Sequence, residues 1–131
     1  MRYSTVRPQP PEPLAGWHPR LFRQVVRWER RRLVWSQRPS TLVVLRIHDG
    51  PSASGEPLRS LTATACQHLR GSDVICAIPP STLLVLYLDT GPAGASMAVR
   101  RLQEKFSVTC GTAATQVEMA RCLPITPLAW S

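Results

Sequence analysis

Three short apolar runs limit the fold more than any other feature of this sequence. Residues 41–47 (TLVVLRI), 74–78 (VICAI) and 83–88 (LLVLYL) have strand length and are rich in β-branched and leucine side chains. Only Pro79-Pro80-Ser81-Thr82 separates the last two runs, which is a hairpin-length connection. The first run is followed by a much longer segment. The pattern therefore predicts one sheet in which a crossover leads from the first strand to a hairpin.

Segments with helical periodicity lie around these runs, at residues 19–37, 58–69 and 95–105. Residues 106–113 (FSVTCGTA) are predicted as a fourth strand, and residues 116–122 as one or two further helical turns. The predicted class is α+β, a ferredoxin-like βαββαβ antiparallel sheet with an additional N-terminal helix. Prolines crowd both ends, so we expect a flexible segment at residues 1–18, a domain at 19–122 and a tail at 123–131.

The charge balance predicts an anionic partner. The formal net charge is +8 and the sequence pI is about 10.6. A nucleotide, a nucleic acid, an anionic membrane and an acidic protein all fit this charge. Lys105 is the only lysine, and arginine suits phosphates and guanine edges, although high genomic GC content gives the same bias.

Six arginines lie in the first helical segment, whose apolar face is predicted to hold Leu21, Val25, Trp28 and Trp35. The favoured interpretation is a solvated arginine face, with the tryptophans packed on the domain itself. The alternative is a surface that docks an acidic partner or phosphates.

Several kinds of site are not expected. The four cysteines form no CxxC pair, and the three histidines lack metal-ligand spacing, so we expect no metal site and no cofactor. Residues 1–16 lack the apolar core of a signal peptide, and no run reaches the length of a membrane span. The expectation is a cytoplasmic protein with free thiols.

The stretch Leu69-Arg70-Gly71-Ser72-Asp73-Val74-Ile75 resembles the inhibitory site, the RxxD motif, of the GGDEF family of diguanylate cyclases. In that family the motif stands five residues before the GGDEF hairpin. Here residues 74–78 are those five, and Pro79-Pro80-Ser81-Thr82-Leu83 stands where GGDEF is expected. The resemblance covers about residues 14–114. It implies that Arg101, with Arg100 beside it, completes the site from the next helix.

Departures from the family pattern predict that the chain is not an enzyme. Cyclase chemistry needs acidic residues to hold Mg²⁺ on the triphosphate, and a backbone that can approach the nucleotide closely. Pro79 and Pro80 replace the two glycines, and Ser81 and Thr82 replace the acidic pair. Arg46 stands where the first metal-binding aspartate is expected, with Asp49 as a less favoured, shifted ligand.

The retained motif predicts binding of cyclic di-GMP. An arginine can donate two hydrogen bonds to O6 and N7 of guanine, and a carboxylate can accept from the N1 and N2 donors. The small Gly71 and Ser72 let the ligand approach the turn. The predicted ligand-binding residues are Arg70, Gly71, Ser72, Asp73, Arg100 and Arg101.

The resemblance also implies a stacked ligand dimer that joins two domains, and an output in biofilm or exopolysaccharide control. The alternative function is a ligand-free scaffold for protein–protein interaction, in an assembly such as a membrane-bound secretion or synthase complex. For Arg70 and Asp73 themselves, the alternative is a local salt bridge at a helix end. Nucleic-acid binding is not expected, because the predicted strands 41–47, 74–78 and 83–88 offer only Tyr87 for stacking.

Overall fold

The computed structural model describes residues 18–48, 56–110 and 116–127. These residues form three helices and four strands. In chain order they are α1 (Pro19–Arg32), β1 (Thr41–His48), α2 (Glu56–His68), β2 (Val74–Ile78), β3 (Thr82–Tyr87), α3 (Pro92–Cys110) and β4 (Gln116–Pro124). Residues 1–17, the loop containing Asp49, and residues 128–131 lie outside the described residues, as do the expectations made for them.

The four strands form one antiparallel sheet in the order β2-β3-β1-β4. Thr41 of β1 faces Tyr87 of β3, and His48 of β1 faces Gln116 of β4. This order and direction are those of a ferredoxin-like sheet, which confirms the predicted fold class. None of the helices in the described residues has the length and apolar character that a membrane crossing requires.

Strand alternation divides the interior into two layers, because successive side chains of a strand point to opposite faces. On one face, β1, β2 and β3 contribute Val43, Leu45, Ile75, Val85 and Tyr87 to a core covered by α2 and α3. On the other face, Val74, Cys76 and Leu86 pack with Phe22 of α1. Helix α1 is therefore the additional element, and it covers the face that α2 and α3 leave open.

The prediction of a strand from residue 106 was wrong for residues 106–110, and residues 111–113 lie outside the described residues. The prediction of helix after residue 116 was also wrong, because β4 covers this segment. Helix α3 extends to Cys110, and Phe106 is 2% exposed within the core that α2 and α3 cover. Phe106 lies four residues after Leu102, so it continues the apolar stripe of the helix. The run at 106–110 has strand composition, but its packing partner lies on the helical side of the sheet.

A β-bulge explains why the sequence did not predict strand β4. The register shifts between Val44 and Leu45, which face Arg121 and Met119, so Ala120 has no directly opposed partner. Val117 and Met119 pack on the core covered by α2 and α3, and after the bulge Cys122 does so too. The extra residue interrupts the alternation that identifies a strand. Pairing also continues beyond residue 122, since Ile125 N donates to Ser40 O at 2.8 Å.

The interpretation that the tryptophans of α1 pack on their own domain was also wrong. The side chains of α1 that meet the sheet belong to Phe22, Val25 and Val26, and Glu29 is buried beside them. Trp28 and Trp35 are 56% and 84% exposed.

Candidate functional site

The predicted RxxD residues form a closed turn between α2 and β2. Asp73 N donates to Arg70 O at 3.0 Å. In return the Asp73 carboxylate accepts from Arg70 N at 3.2 Å and from Nε and Nη2 of the same arginine at 3.4 and 3.3 Å. The two side chains therefore point toward each other and form the local ion pair that was the alternative interpretation.

The same pair also holds the segment Leu88–Thr90, here called the β3–α3 turn. Leu88 N donates to Asp73 Oδ1 at 3.2 Å, and Arg70 Nη2 donates to Leu88 O and Thr90 Oγ1, both at 2.6 Å. The Asp73 side chain is only 3% exposed, whereas that of Arg70 is 57% exposed. The carboxylate is thus an internal acceptor, while the guanidinium lies at the surface.

The β3–α3 turn is held from its opposite side by residues near the end of α1. Asp89 N donates to Ser40 Oγ at 3.1 Å, and the Asp89 carboxylate lies 3.0 Å from Arg32 and 3.6 Å from Arg38. Thr41 Oγ1 donates to Thr90 O at 2.8 Å. Asp89 has a φ of 55°, a left-handed conformation that aspartate tolerates better than most residues.

Glu29 is the buried acid of this second network. Its carboxylate accepts from Arg32 Nε at 2.9 Å and from Arg32 Nη2 at 2.5 Å, and it also accepts from the Ser40 hydroxyl. The hydrogen bond from Arg32 lowers the pKa of Glu29 despite its burial, with a smaller contribution from Ser40. Arg32 therefore joins α1 to the β3–α3 turn, because it also bonds Asp89.

A groove of about 240 Å³ brings together Arg70, Asp73 and Arg101. Helix α3 supplies Arg101, while the turn after α2 supplies the other two residues. The remaining lining residues are His68, Tyr87, Thr90, Gly94 and Ala98.

The other predicted site residues lie around this groove. Gly71 lines a separate, more open groove of about 520 Å³, together with Arg70, Asp73, His18 and Leu21. Ser72 and Arg100 are exposed and line neither groove.

Tyr87 also lines this groove, although the sequence did not identify it as a site residue. It is buried on the side of the sheet that α2 and α3 cover. Burial and the nearby charge of Asp73 raise its pKa to about 12, so its hydroxyl stays protonated at neutral pH. Thr90 was also missed, because its proximity to Arg70 arises only from the tertiary fold. His68 was missed as well, although it lies two residues before Arg70 in the sequence.

The region predicted to have lost its metal ligands contains a proline hairpin. Pro79 and Pro80 are joined by a cis peptide bond between β2 and β3. Arg46 is exposed and faces Thr82 on β3 and Glu118 on β4. Within the described residues, no group of three or more His, Cys, Asp or Glu side chains is placed to hold a metal ion.

Solved structures resemble this fold. The GGDEF domain of FimX from Pseudomonas aeruginosa superimposes with a TM-score of 0.72 at 16% identity, covering 96% of this chain and 85% of that one. The chain has a GGDEF-like fold. PelD 158-CT from Pseudomonas aeruginosa PAO1 superimposes with a TM-score of 0.60 at 20% identity over 82% of this chain, which spans 38% of that one. No family profile and no curated protein matches the sequence.

Proposed function

We propose that this chain is a receptor for cyclic di-GMP with no catalytic activity of its own. The observation that carries the proposal is the convergence of Arg70, Asp73 and Arg101 on one groove of a GGDEF-like fold. Two guanidinium groups and one carboxylate provide the donors and the acceptor that guanine edges and bridging phosphates require.

Arg70 is the residue best placed to make the first contact with the ligand. Its Nε and Nη2 atoms are engaged by Asp73, Leu88 O and Thr90, whereas Nη1 takes part in none of the hydrogen bonds found in the described residues. The side chain is more than half exposed. Nη1 can therefore donate to guanine or to a phosphate before any internal bond is broken.

Asp73 has to exchange partners to take part in binding. Its carboxylate now accepts from Arg70 and from Leu88 N. In the proposed complex the N1 and N2 donors of a guanine replace the Arg70 side chain, and the bond from Leu88 N is kept. The carboxylate then remains fully hydrogen-bonded, as a buried charge must be.

The substitutions in the hairpin support a role without catalysis. Proline has no backbone N–H, so Pro79 and Pro80 cannot donate to phosphate oxygens. Ser81 and Thr82 carry no carboxylate for Mg²⁺, and the exposed Arg46 repels a cation. We further propose that the bound dinucleotide joins two copies of the chain, or one copy and a partner protein. The output we propose is control of biofilm or exopolysaccharide production, within a membrane-bound secretion or synthase complex.

Isothermal titration of the full chain with cyclic di-GMP tests the proposal. We expect saturable binding that Arg70→Ala abolishes and that Arg101→Ala weakens to a lesser degree. Arg100→Ala is the matched control, because it removes the same charge one residue away and outside the groove. Cyclic di-AMP, which lacks the guanine edge, should give no heat. Equal loss of binding with Arg100→Ala and Arg101→Ala would contradict a specific role for Arg101, because binding would then depend only on general electrostatic attraction.

Gly71 provides a steric test that leaves all charges in place. A Cβ atom built at Gly71 meets no heavy atom within 4 Å, so a larger side chain fits the free protein. Gly71→Leu should therefore keep the unfolding temperature of the wild type and block a ligand that approaches this turn. Unchanged affinity in this variant would place the ligand away from Gly71.

A ligand-free interaction module is the second candidate function. The nearly complete burial of the Asp73 side chain and its internal hydrogen bonds favour this role. If the wild type shows neither heat nor a rise in thermal stability with cyclic di-GMP, the receptor role is excluded and this second role takes its place.

A further inference from the structure

The solvent side of helix α1 carries positive charge that no acid in the described part of the chain neutralises. Arg20, Arg23, Arg27 and Arg31 are exposed, and no ion pair within the described residues involves them. Glu29 is the one acidic residue of α1, and it is buried against Arg32 and Ser40. The charge of these exposed arginines is therefore available to a binding partner that approaches the helix.

Large apolar side chains lie beside these arginines. Leu21, Trp28 and Trp35 are spaced by seven residues, and Val34 is also more than half exposed. The helical bonding continues past Arg32, since Trp35 N and Ser36 N both donate to Arg32 O at 3.0 Å. At 100° per residue, Leu21, Trp28 and Trp35 form one stripe, about a third of a turn from the side that packs on the sheet. This stripe and the four arginines are here called the arginine–tryptophan face.

The composition of this face argues against a second copy of the chain as its occupant. Two copies meeting through α1 would bring eight exposed arginines together without a facing carboxylate, and like charges repel. The face instead needs a partner that is negatively charged along the whole helix and accepts indole rings next to that charge.

We propose that the arginine–tryptophan face binds the surface of an anionic lipid bilayer. Lipid phosphates provide a continuous negative surface, so the arginines need no individually placed acceptors. Indole rings favour the boundary between headgroups and acyl chains, where Trp28 and Trp35 would lie, while arginine side chains extend toward the phosphates. A convex helix of one charge sign fits such a laterally uniform surface better than it fits a shaped protein site. This inference is independent of the proposed function, because it involves neither Arg70 nor a nucleotide.

Vesicle flotation with the purified full chain, without nucleotide, tests the inference. We expect binding to vesicles of phosphatidylcholine and phosphatidylglycerol, and none to phosphatidylcholine alone. Each arginine near an anionic surface changes the partition coefficient about fivefold, so Arg27→Gln with Arg31→Gln should lower it about 25-fold. Both side chains are exposed, so the variant should unfold as the wild type does.

The matched control removes two charges from a different surface. Arg100→Gln with Lys105→Gln lowers the net charge equally, and both residues are exposed on α3. We expect a much smaller effect on vesicle binding. Equal losses for the two pairs would overturn the inference, since binding would then depend on net charge alone.

A second readout reports on the tryptophans. Brominated lipids should quench the fluorescence of bound wild type more strongly than that of a Trp28→Phe, Trp35→Phe variant. Equal quenching would show that Trp28 and Trp35 do not contact the lipid, and would overturn the inference. It would also be overturned if the chain bound polyglutamate or single-stranded RNA through the same arginines but did not float with anionic vesicles.

Discussion

The substitution Asp73→Ala tests whether the RxxD carboxylate holds the fold together in the absence of ligand. It removes an acceptor from Leu88 N, from Arg70 N and from the Arg70 guanidinium. A hydrogen bond to a charged group contributes about 1.5–3 kcal/mol, and the part-buried bond from Leu88 N belongs in this range. The ion pair with the half-exposed Arg70 adds about 0.2–1 kcal/mol. Together they predict a loss of about 2–4 kcal/mol in the free energy of unfolding.

Arg70→Ala provides the comparison within the same contact. Asp73 then keeps the two backbone donors. The lost bonds, to the Asp73 carboxylate, Leu88 O and Thr90 Oγ1, all come from the half-exposed Arg70 side chain. Solvent screens the bonds of this half-exposed guanidinium although they are charge-assisted, so the expected loss is about 1–2 kcal/mol. The order of the two losses follows from burial, because the carboxylate is the buried partner of the pair.

Urea denaturation at neutral pH, followed by far-ultraviolet circular dichroism, measures both losses. If each variant loses less than about 0.5 kcal/mol, the usual range for surface substitutions, the carboxylate is not a structural acceptor. Asp73 would then be available to a ligand without a conformational change, and the proposed exchange of partners would be unnecessary.

Three further predictions concern other parts of the molecule. Because Arg32 lowers the pKa of Glu29, the stabilisation from this group is fully present above the carboxyl pKa of the unfolded chain, about 4.3, and is lost as the pH falls through the lower folded value. In Glu29→Gln the free energy of unfolding, measured by urea denaturation, should depend less on pH in this range; an unchanged pH dependence would contradict the assignment. Burial raises the pKa of the Cys76 thiol, so iodoacetamide should modify Cys76 only in urea, which peptide mass mapping can check; rapid labelling in buffer would contradict its burial. Phe106→Ala should lower the free energy of unfolding by about 3–5 kcal/mol, whereas the exposed neighbour substitution Ser107→Ala should have little effect; similar losses in urea denaturation would argue against the packing of this part of α3.

The sequence predicts the fold well where packing follows local periodicity. Strands β1, β2 and β3 and the cores of α1, α2 and α3 were found because their apolar spacing repeats over several residues. The end of α3 and the whole of β4 were missed. Phe106 belongs to a helical stripe and to a strand-like run at the same time, and only the position of the sheet decides between them. The bulge at Ala120 removes the alternation that would have identified β4.

The candidate site was predicted less completely than the fold. The motif placed Arg70 and Asp73 at a helix end, and the spacing from the hairpin indicated Arg101. Nothing local to the motif showed that Leu88 and Thr90 are its hydrogen-bond partners, since they are 15 or more residues away in the chain. For the same reason the sequence did not show that Glu29 is buried against Arg32 and Ser40, or that Trp28 and Trp35 face solvent.

The β3–α3 turn can couple two distant parts of the molecule, because two separate sets of side chains bind its three residues. Arg70 and Asp73 fix one side of Leu88–Thr90, while Ser40 and Arg32 fix the other. A molecule that binds the Arg70 side chain and alters this turn would also act on the hydrogen bonds at the end of α1. By reciprocity, if that molecule changes the affinity of a second ligand for α1, the second ligand changes the affinity at Arg70 by the same factor. The Arg70 groove and the end of α1 would therefore share one free-energy coupling, set by the few hydrogen bonds of a single tight bend.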